Sequence, residues 1–155
     1  AATAAERLAA YRTLHTVDRD GVLTLEAEEA FPRGSTLRRE RRDDSRTTWG
    51  FWTEAEDALE WDAVIDAPGV YRVSMVHSCR YRNRGTPIRC TIGDKMIDSI
   101  VKSTSNGDFS VQQLGTVTIE KPGRIRVQLQ PLGAPRETVT SLARLILVRD
   151  EDAEE

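Results

Sequence analysis

The sequence predicts an all-β chain, an antiparallel β-sandwich preceded by a short N-terminal helix. Three observations carry this reading. First, one phrase is written twice: an alternating run, a Pro-Gly turn, then a second alternating run. The first copy is Leu59–Asp66, Ala67-Pro68-Gly69, then Val70–Met75; the second is Gly115–Glu120, Lys121-Pro122-Gly123, then Arg124–Leu129. Period-two alternation sends one set of side chains to a core and the other to water. Pro presets φ and Gly accepts φ > 0, so each Pro-Gly reads as the turn of a hairpin. Second, further short runs with turn residues between them extend from residue 22 to 148. Third, helical spacing is confined to the first 17 residues, where Leu8, Tyr11, Leu14 and Val17 recur in an alanine-rich stretch.

The elements follow in order. The N-terminal helix, which places His15 on it, ends at Asp18-Arg19-Asp20-Gly21. Val22–Glu28 is the first strand, and residues 31–48 form a long polar loop. Trp49-Gly50-Phe51-Trp52 opens the next structured stretch, before the first Pro-Gly hairpin. Ile88–Ile92 and Met96–Val101 flank a Gly93-Asp94 turn, the loop Ser103–Asp108 follows, and Leu142–Val148 is the last strand. The division is residues 1–18 as helix or linker, 19–149 as sandwich and 150–155 as an acidic tail.

At 155 residues the chain suits one domain with one core. A net charge of −3 argues against a nucleic-acid partner. No stretch approaches the ~20 apolar residues that span a membrane. The chain begins at Ala1 rather than Met, and the expectation is a piece of a longer polypeptide. Cys79 and Cys90 flank Asn83-Arg84-Gly85. A simple hairpin there would allow a disulfide, whereas strands in different sheets would leave two buried thiols, the favoured reading.

The chemical inventory is sparse. No nucleophile elbow, zinc-binding His-Glu-x-x-His or phosphate loop occurs. His77 falls on the core side of its strand and reads as a satisfied core histidine. Glu26 and Glu28, at i and i+2 of a strand, would share a face. Such a carboxylate pair suits a hard cation such as Ca²⁺ or else a solvated edge. Trp49, Phe51 and Trp52 are the densest aromatic cluster. They read either as core or as a platform for sugar C–H faces. Trp61 has the phase of a core residue. The run Arg80-Tyr81-Arg82-Asn83-Arg84 suits an anionic ligand or forms a solvated loop.

Taken in order, these residues resemble the carbohydrate-binding modules of families six and thirty-five. The resemblance rests on Leu25-Glu26-Ala27-Glu28-Glu29-Ala30, Glu60-Trp61, Pro68-Gly69-Val70-Tyr71-Arg72-Val73, Leu114-Gly115-Thr116-Val117, Pro122-Gly123, Val127-Gln128-Leu129 and Leu145-Ile146-Leu147. It implies a galactose-binding-like jelly roll and a structural Ca²⁺ held in part by Glu26 and Glu28. It also implies a sugar site on the loops at one end, near 49–52 and 103–109. Two positions depart from the family pattern. Ala143 stands where the family's last strand supplies an Asp to the calcium, and Ser105–Asp108 lacks the family's loop Trp.

The function this implies is a non-catalytic carbohydrate-binding module of a larger secreted carbohydrate-active enzyme, extracellular or periplasmic. Its expected partners are a polysaccharide or glycan, an anionic one in keeping with the arginine run, and a catalytic domain of the same polypeptide. Trp49 or Trp52 would stack a sugar, with Arg46, Tyr81, Arg82, Asn106 and Asp108 as polar contacts. The alternative is a structural or protein-interaction sandwich without a sugar ligand; a weaker third reading is an enzyme with an unrecognised site.

Overall fold

The computed structural model describes residues 3–4, 14–34, 37–41, 47–50, 54, 56–133 and 139–150, with the backbone alone at 38–41, 47 and 49. Two sheets face each other across one apolar core. The first is ordered β1 (Leu14–Thr16), β6 (Ala58–Ile65), β11 (Gly123–Pro131), β8 (Pro87–Ile92) and β9 (Lys95–Ile100), with β3 (Phe31–Arg33) also on β6. The second is ordered β10 (Ser110–Ile119), β7 (Gly69–Ser78), β12 (Ser141–Arg149), β5 (Thr47–Gly50) and β4 (Arg38–Arg41), with β2 (Val22–Glu26) also on β12. The expected all-β sandwich is therefore present.

Alternation places Leu59, Trp61, Ala63 and Ile65 of β6 against Tyr71, Val73 and Met75 of β7 and Leu145 and Leu147 of β12 in that core. Trp61 is 2% exposed, as its phase required, and its indole N–H donates to the Glu26 carbonyl at 2.8 Å. An indole is buried without penalty only when its one donor is matched.

The two Pro-Gly phrases are not hairpins. β6 and β7 lie in different sheets, and so do β10 and β11. The pairing runs across the copies instead: β6 with β11, meeting at Ile65 and Gly123, and β7 with β10, meeting at Gly69 and Ile119. Each phrase is a corner that carries the chain from one sheet to the other. Tight hairpins need primed turns, whose first central residue has φ > 0. Pro at φ near −65° cannot supply that. Gly69 and Gly123 take φ of 146° and 147° just beyond each corner, a region that glycine tolerates.

Three other expectations change. Leu14–Thr16 is a strand parallel to β6, with His15 opposite Ala63, and not part of a helix; residues 5–13 lie outside the described residues. The open edge of β6 offers backbone partners that outweigh local helix propensity there. The stretch 31–48 contains β3, β4 and the start of β5 rather than one long loop. The first strand ends at Glu26 and gives way to a 3₁₀ turn, Ala27–Glu29. Glu26 and Glu28 therefore do not share one strand face.

Cys79 follows β7 and Cys90 sits on β8, in different sheets, as two buried free thiols. Burial pushes the Cys90 thiol up to about 12. β8 and β9 do form a hairpin about Gly93-Asp94, as expected.

Candidate functional site

The sandwich has two unlike ends. One gathers the Pro-Gly corners and the β8–β9 tip. The other gathers the loop after β7 (79–86) and the loop between β9 and β10 (101–109).

At this loop end the two loops are tied together. Thr104 N–H donates to the Cys79 carbonyl at 2.8 Å, and Cys79 N–H donates to Thr104 Oγ1 at 3.1 Å. Ser78 Oγ donates to the Gly107 carbonyl, and the Arg80 stem lies over Gly107, where a Cβ would meet it at 3.3 Å. Gly85 N–H donates to the Val101 carbonyl at 2.8 Å. Beneath them, His77 is 1% exposed with Nδ1 2.8 Å from Thr140 Oγ1, which donates to the Ser78 carbonyl at 3.0 Å. Burial lowers the His77 pKa to about 4, against a weaker opposing bond to Gln112. His77 is the satisfied core histidine the alternation indicated.

On this base the 3₁₀ turn Tyr81–Asn83 presents the Tyr81 ring, 68% exposed. The Arg84 guanidinium lies over the ring, 3.4 Å from its centroid, and its Nη1 donates to the Tyr81 carbonyl at 2.8 Å. A cation over a ring face is attracted by the ring quadrupole and fixes its tilt. Arg80 and Arg82 are exposed on the same turn. Across the tie, Asn106 adopts a left-handed conformation (φ 53°, ψ 22°) that Asn tolerates, and Asn106 and Asp108 are both exposed.

Tyr81, Arg82, Asn106 and Asp108, four of the expected contacts, thus lie on two loops that are tied to each other. Trp49 lies on β5, where only its backbone is described. Its backbone pairs with Leu142, which pairs with His77, so two strand spacings, roughly 10 Å, separate Trp49 from β7. Trp52 and Arg46 lie outside the described residues. Sequence reasoning missed Arg84 as the support of Tyr81. The signal was the i, i+3 spacing of Tyr81 and Arg84, which a 3₁₀ turn eclipses onto one side.

Of the two residues expected to hold calcium, Glu26 is paired within the chain. Glu26 Oε1 and Oε2 accept from Arg144 Nε at 3.1 and 3.3 Å, and its carbonyl accepts from Trp61. Glu28 is exposed on the 3₁₀ turn. Among the described residues no three His, Cys, Asp or Glu side chains converge as metal ligands. All three Glu26 oxygens thus accept from N–H donors. At the corner end lies a cleft of about 240 Å³ between the β8–β9 tip and the second corner, floored by Ile92, Ile119 and Ile125 and spanned by a 3.5 Å Lys95–Glu120 ion pair.

The fold is that of carbohydrate-binding modules of families six and thirty-five. The chain superposes on a Podospora anserina β-(1,4)-mannanase carrying a family 35 module, with TM-score 0.68 and 14% identity over 88% of this chain, but spans only 29% of that chain. It superposes on a family 35 carbohydrate-binding module from Clostridium thermocellum, with TM-score 0.64 and 11% identity over 83% of this chain and 98% of the other. The C-terminal family 6 module of the Zobellia galactanivorans laminarinase LamC gives TM-score 0.62 and 10% identity over 83% and 99% of the two chains. No curated protein matches the sequence. Residues 16–152 match the family described as a domain of unknown function (DUF5077), and the chain belongs to that family.

Proposed function

We propose that this domain is a non-catalytic carbohydrate-binding module that holds a glycan at its loop end. The observation that carries the reading is the Tyr81 ring, 68% exposed and backed by Arg84 at 3.4 Å, on two loops tied to the core. A flat ring held this way offers a face to sugar C–H groups. Arg82, Asn106 and Asp108 supply charge and hydrogen bonds around it. The fold shared with carbohydrate-binding modules supports the reading. Arg80, Arg82 and Arg84 favour an anionic glycan, since guanidinium pairs with carboxylate or sulfate through two parallel bonds. Trp49, Trp52 and Arg46 remain in this reading as further sugar contacts to be tested by mutation, Trp52 and Arg46 lying outside the described residues. The parent protein in this reading is a larger carbohydrate-active enzyme, extracellular or periplasmic, whose catalytic domain the module serves.

A glycan array probed with the wild-type chain, Tyr81→Ala and Trp52→Ala tests this. Loss of a stacking ring is worth about 0.5–1.5 kcal/mol, so each variant should weaken binding up to roughly tenfold without unfolding. Unchanged retention of both variants would overturn the site.

A second reading has one observation in its favour. Met96 and Ile100 on β9 are 61% and 51% exposed, and Val111 on β10, the outer strand of the other sheet, is 66% exposed. Exposed apolar edges suit a protein neighbour. That reading expects no glycan retention and loss of interdomain association in a variant with serine at all three positions.

A further inference from the structure

We propose that Arg144 is the resident cation of the Glu26 site, so that the loop end is set without calcium. β12 carries a bulge: its register with β7 jumps from Leu142–His77 to Arg144–Val76, and Leu142 and Ala143 are both buried. The extra residue breaks the alternation and brings Arg144 out directly opposite Glu26, its partner on β2. A cross-strand pair of opposite charge on one face then closes, with both carboxylate oxygens on Arg144 Nε at 3.1 and 3.3 Å.

The remaining Glu26 oxygen, its carbonyl, is held by the buried Trp61 indole at 2.8 Å. All three oxygens of Glu26 therefore face N–H donors, whereas calcium takes 6–8 oxygen ligands. A calcium ion at this carboxylate would stand beside a guanidinium that stays protonated at every working pH. Ala143, buried in the bulge, offers no side-chain oxygen. The bulge thus exchanges a bound ion for a covalently attached one, and the junction from β2 into the 3₁₀ turn Ala27–Glu29 keeps its geometry whatever the free calcium.

The test uses the whole chain. Thermal unfolding is recorded in millimolar CaCl₂ and in chelator, and Tb³⁺ is titrated with excitation of tryptophan, since Trp61 touches Glu26 and would sensitise a lanthanide there. The expected result is superimposable melting curves and no saturable Tb³⁺ emission. Arg144→Ala should lower the midpoint by about 2–4 °C, as loss of a part-exposed ion pair does in a domain this size. Glu26→Gln added to Arg144→Ala should cost nothing further. A midpoint that rises with calcium in the wild type, saturable Tb³⁺ emission from it, or an Arg144→Ala variant that melts like the wild type would each overturn the proposal. The two wild-type measurements decide it even if the variant does not fold.

Discussion

The corner end and the loop end of the sandwich each carry a tyrosine and an arginine, and use them in opposite ways. Tyr71 is fully buried and its hydroxyl donates to the Ala67 carbonyl at 2.7 Å inside the first corner. Arg149 Nε donates to the Pro68 carbonyl at 3.0 Å, and Asp150 N–H donates to the Val70 carbonyl at 2.7 Å. The polar groups there close the chain on itself. At the loop end Tyr81 is mostly exposed, and Arg84 is spent on holding its ring rather than on burying it. A polar group satisfied within the chain stabilises; one held but left facing water is available to a ligand. Mutations at the first end should act on stability, and mutations at the second on binding.

The largest expected effect comes from Tyr71→Ala. Truncating a buried aromatic costs about 3–5 kcal/mol, and here the corner also loses its internal donor. Denaturant unfolding should show that loss, while the fraction still folded binds glycan as before. A weaker glycan affinity per folded molecule would break the division between the two ends.

His77 lies in the core yet supports the loop end through Thr140. Its pKa in the folded chain, about 4, is below the ordinary 6.5, so the unfolded chain takes up the proton first. Its contribution is fully present above pH 6.5 and declines as pH falls toward 4. The decline amounts to roughly 3 kcal/mol at about 1.4 kcal/mol per unit of displacement. His77→Asn should flatten the acid limb of a urea-midpoint profile relative to the wild type. Parallel profiles for the two proteins would show that the acid sensitivity arises elsewhere.

What was legible follows from what a period of two encodes. It reports which face a residue takes, so the core positions of Trp61, Tyr71 and His77, the β8–β9 hairpin and the loop at Ser103–Asp108 were all readable. It does not report which strand is the partner, so both Pro-Gly corners read as hairpins. Arg38–Arg41 has no apolar period at all; it is a strand because β5 offers a backbone ladder, which no local pattern records. Glu26 and Glu28 looked like one carboxylate pair because nothing local marks the end of β2 between them. The bulge that delivers Arg144 is equally silent in sequence. At the candidate site, residue type and loop position could mark Tyr81, Arg82, Asn106 and Asp108 as exposed polar loop residues, whereas the stacking of Arg84 on Tyr81 depends on a 3₁₀ turn that no local pattern records.

Arg84→Lys is the finest probe of the difference between the ends. Lysine keeps the positive charge, so long-range attraction of an anionic glycan is preserved. It lacks the planar guanidinium that stacks on the ring while one N–H reaches the Tyr81 carbonyl. At an exposed site that stacking is worth about 0.5–1 kcal/mol, so glycan binding by calorimetry should weaken about two- to fivefold. The folding midpoint should stay within about 0.5 kcal/mol of the wild type, because the ring is mostly exposed. Arg84→Ala should weaken binding further, and the gap between the two variants isolates charge from shape. If lysine binds like the wild type while Tyr81→Ala fails, the ring needs no guanidinium beneath it. If lysine and alanine are equally weak, shape alone sets the affinity and the glycan need not be anionic.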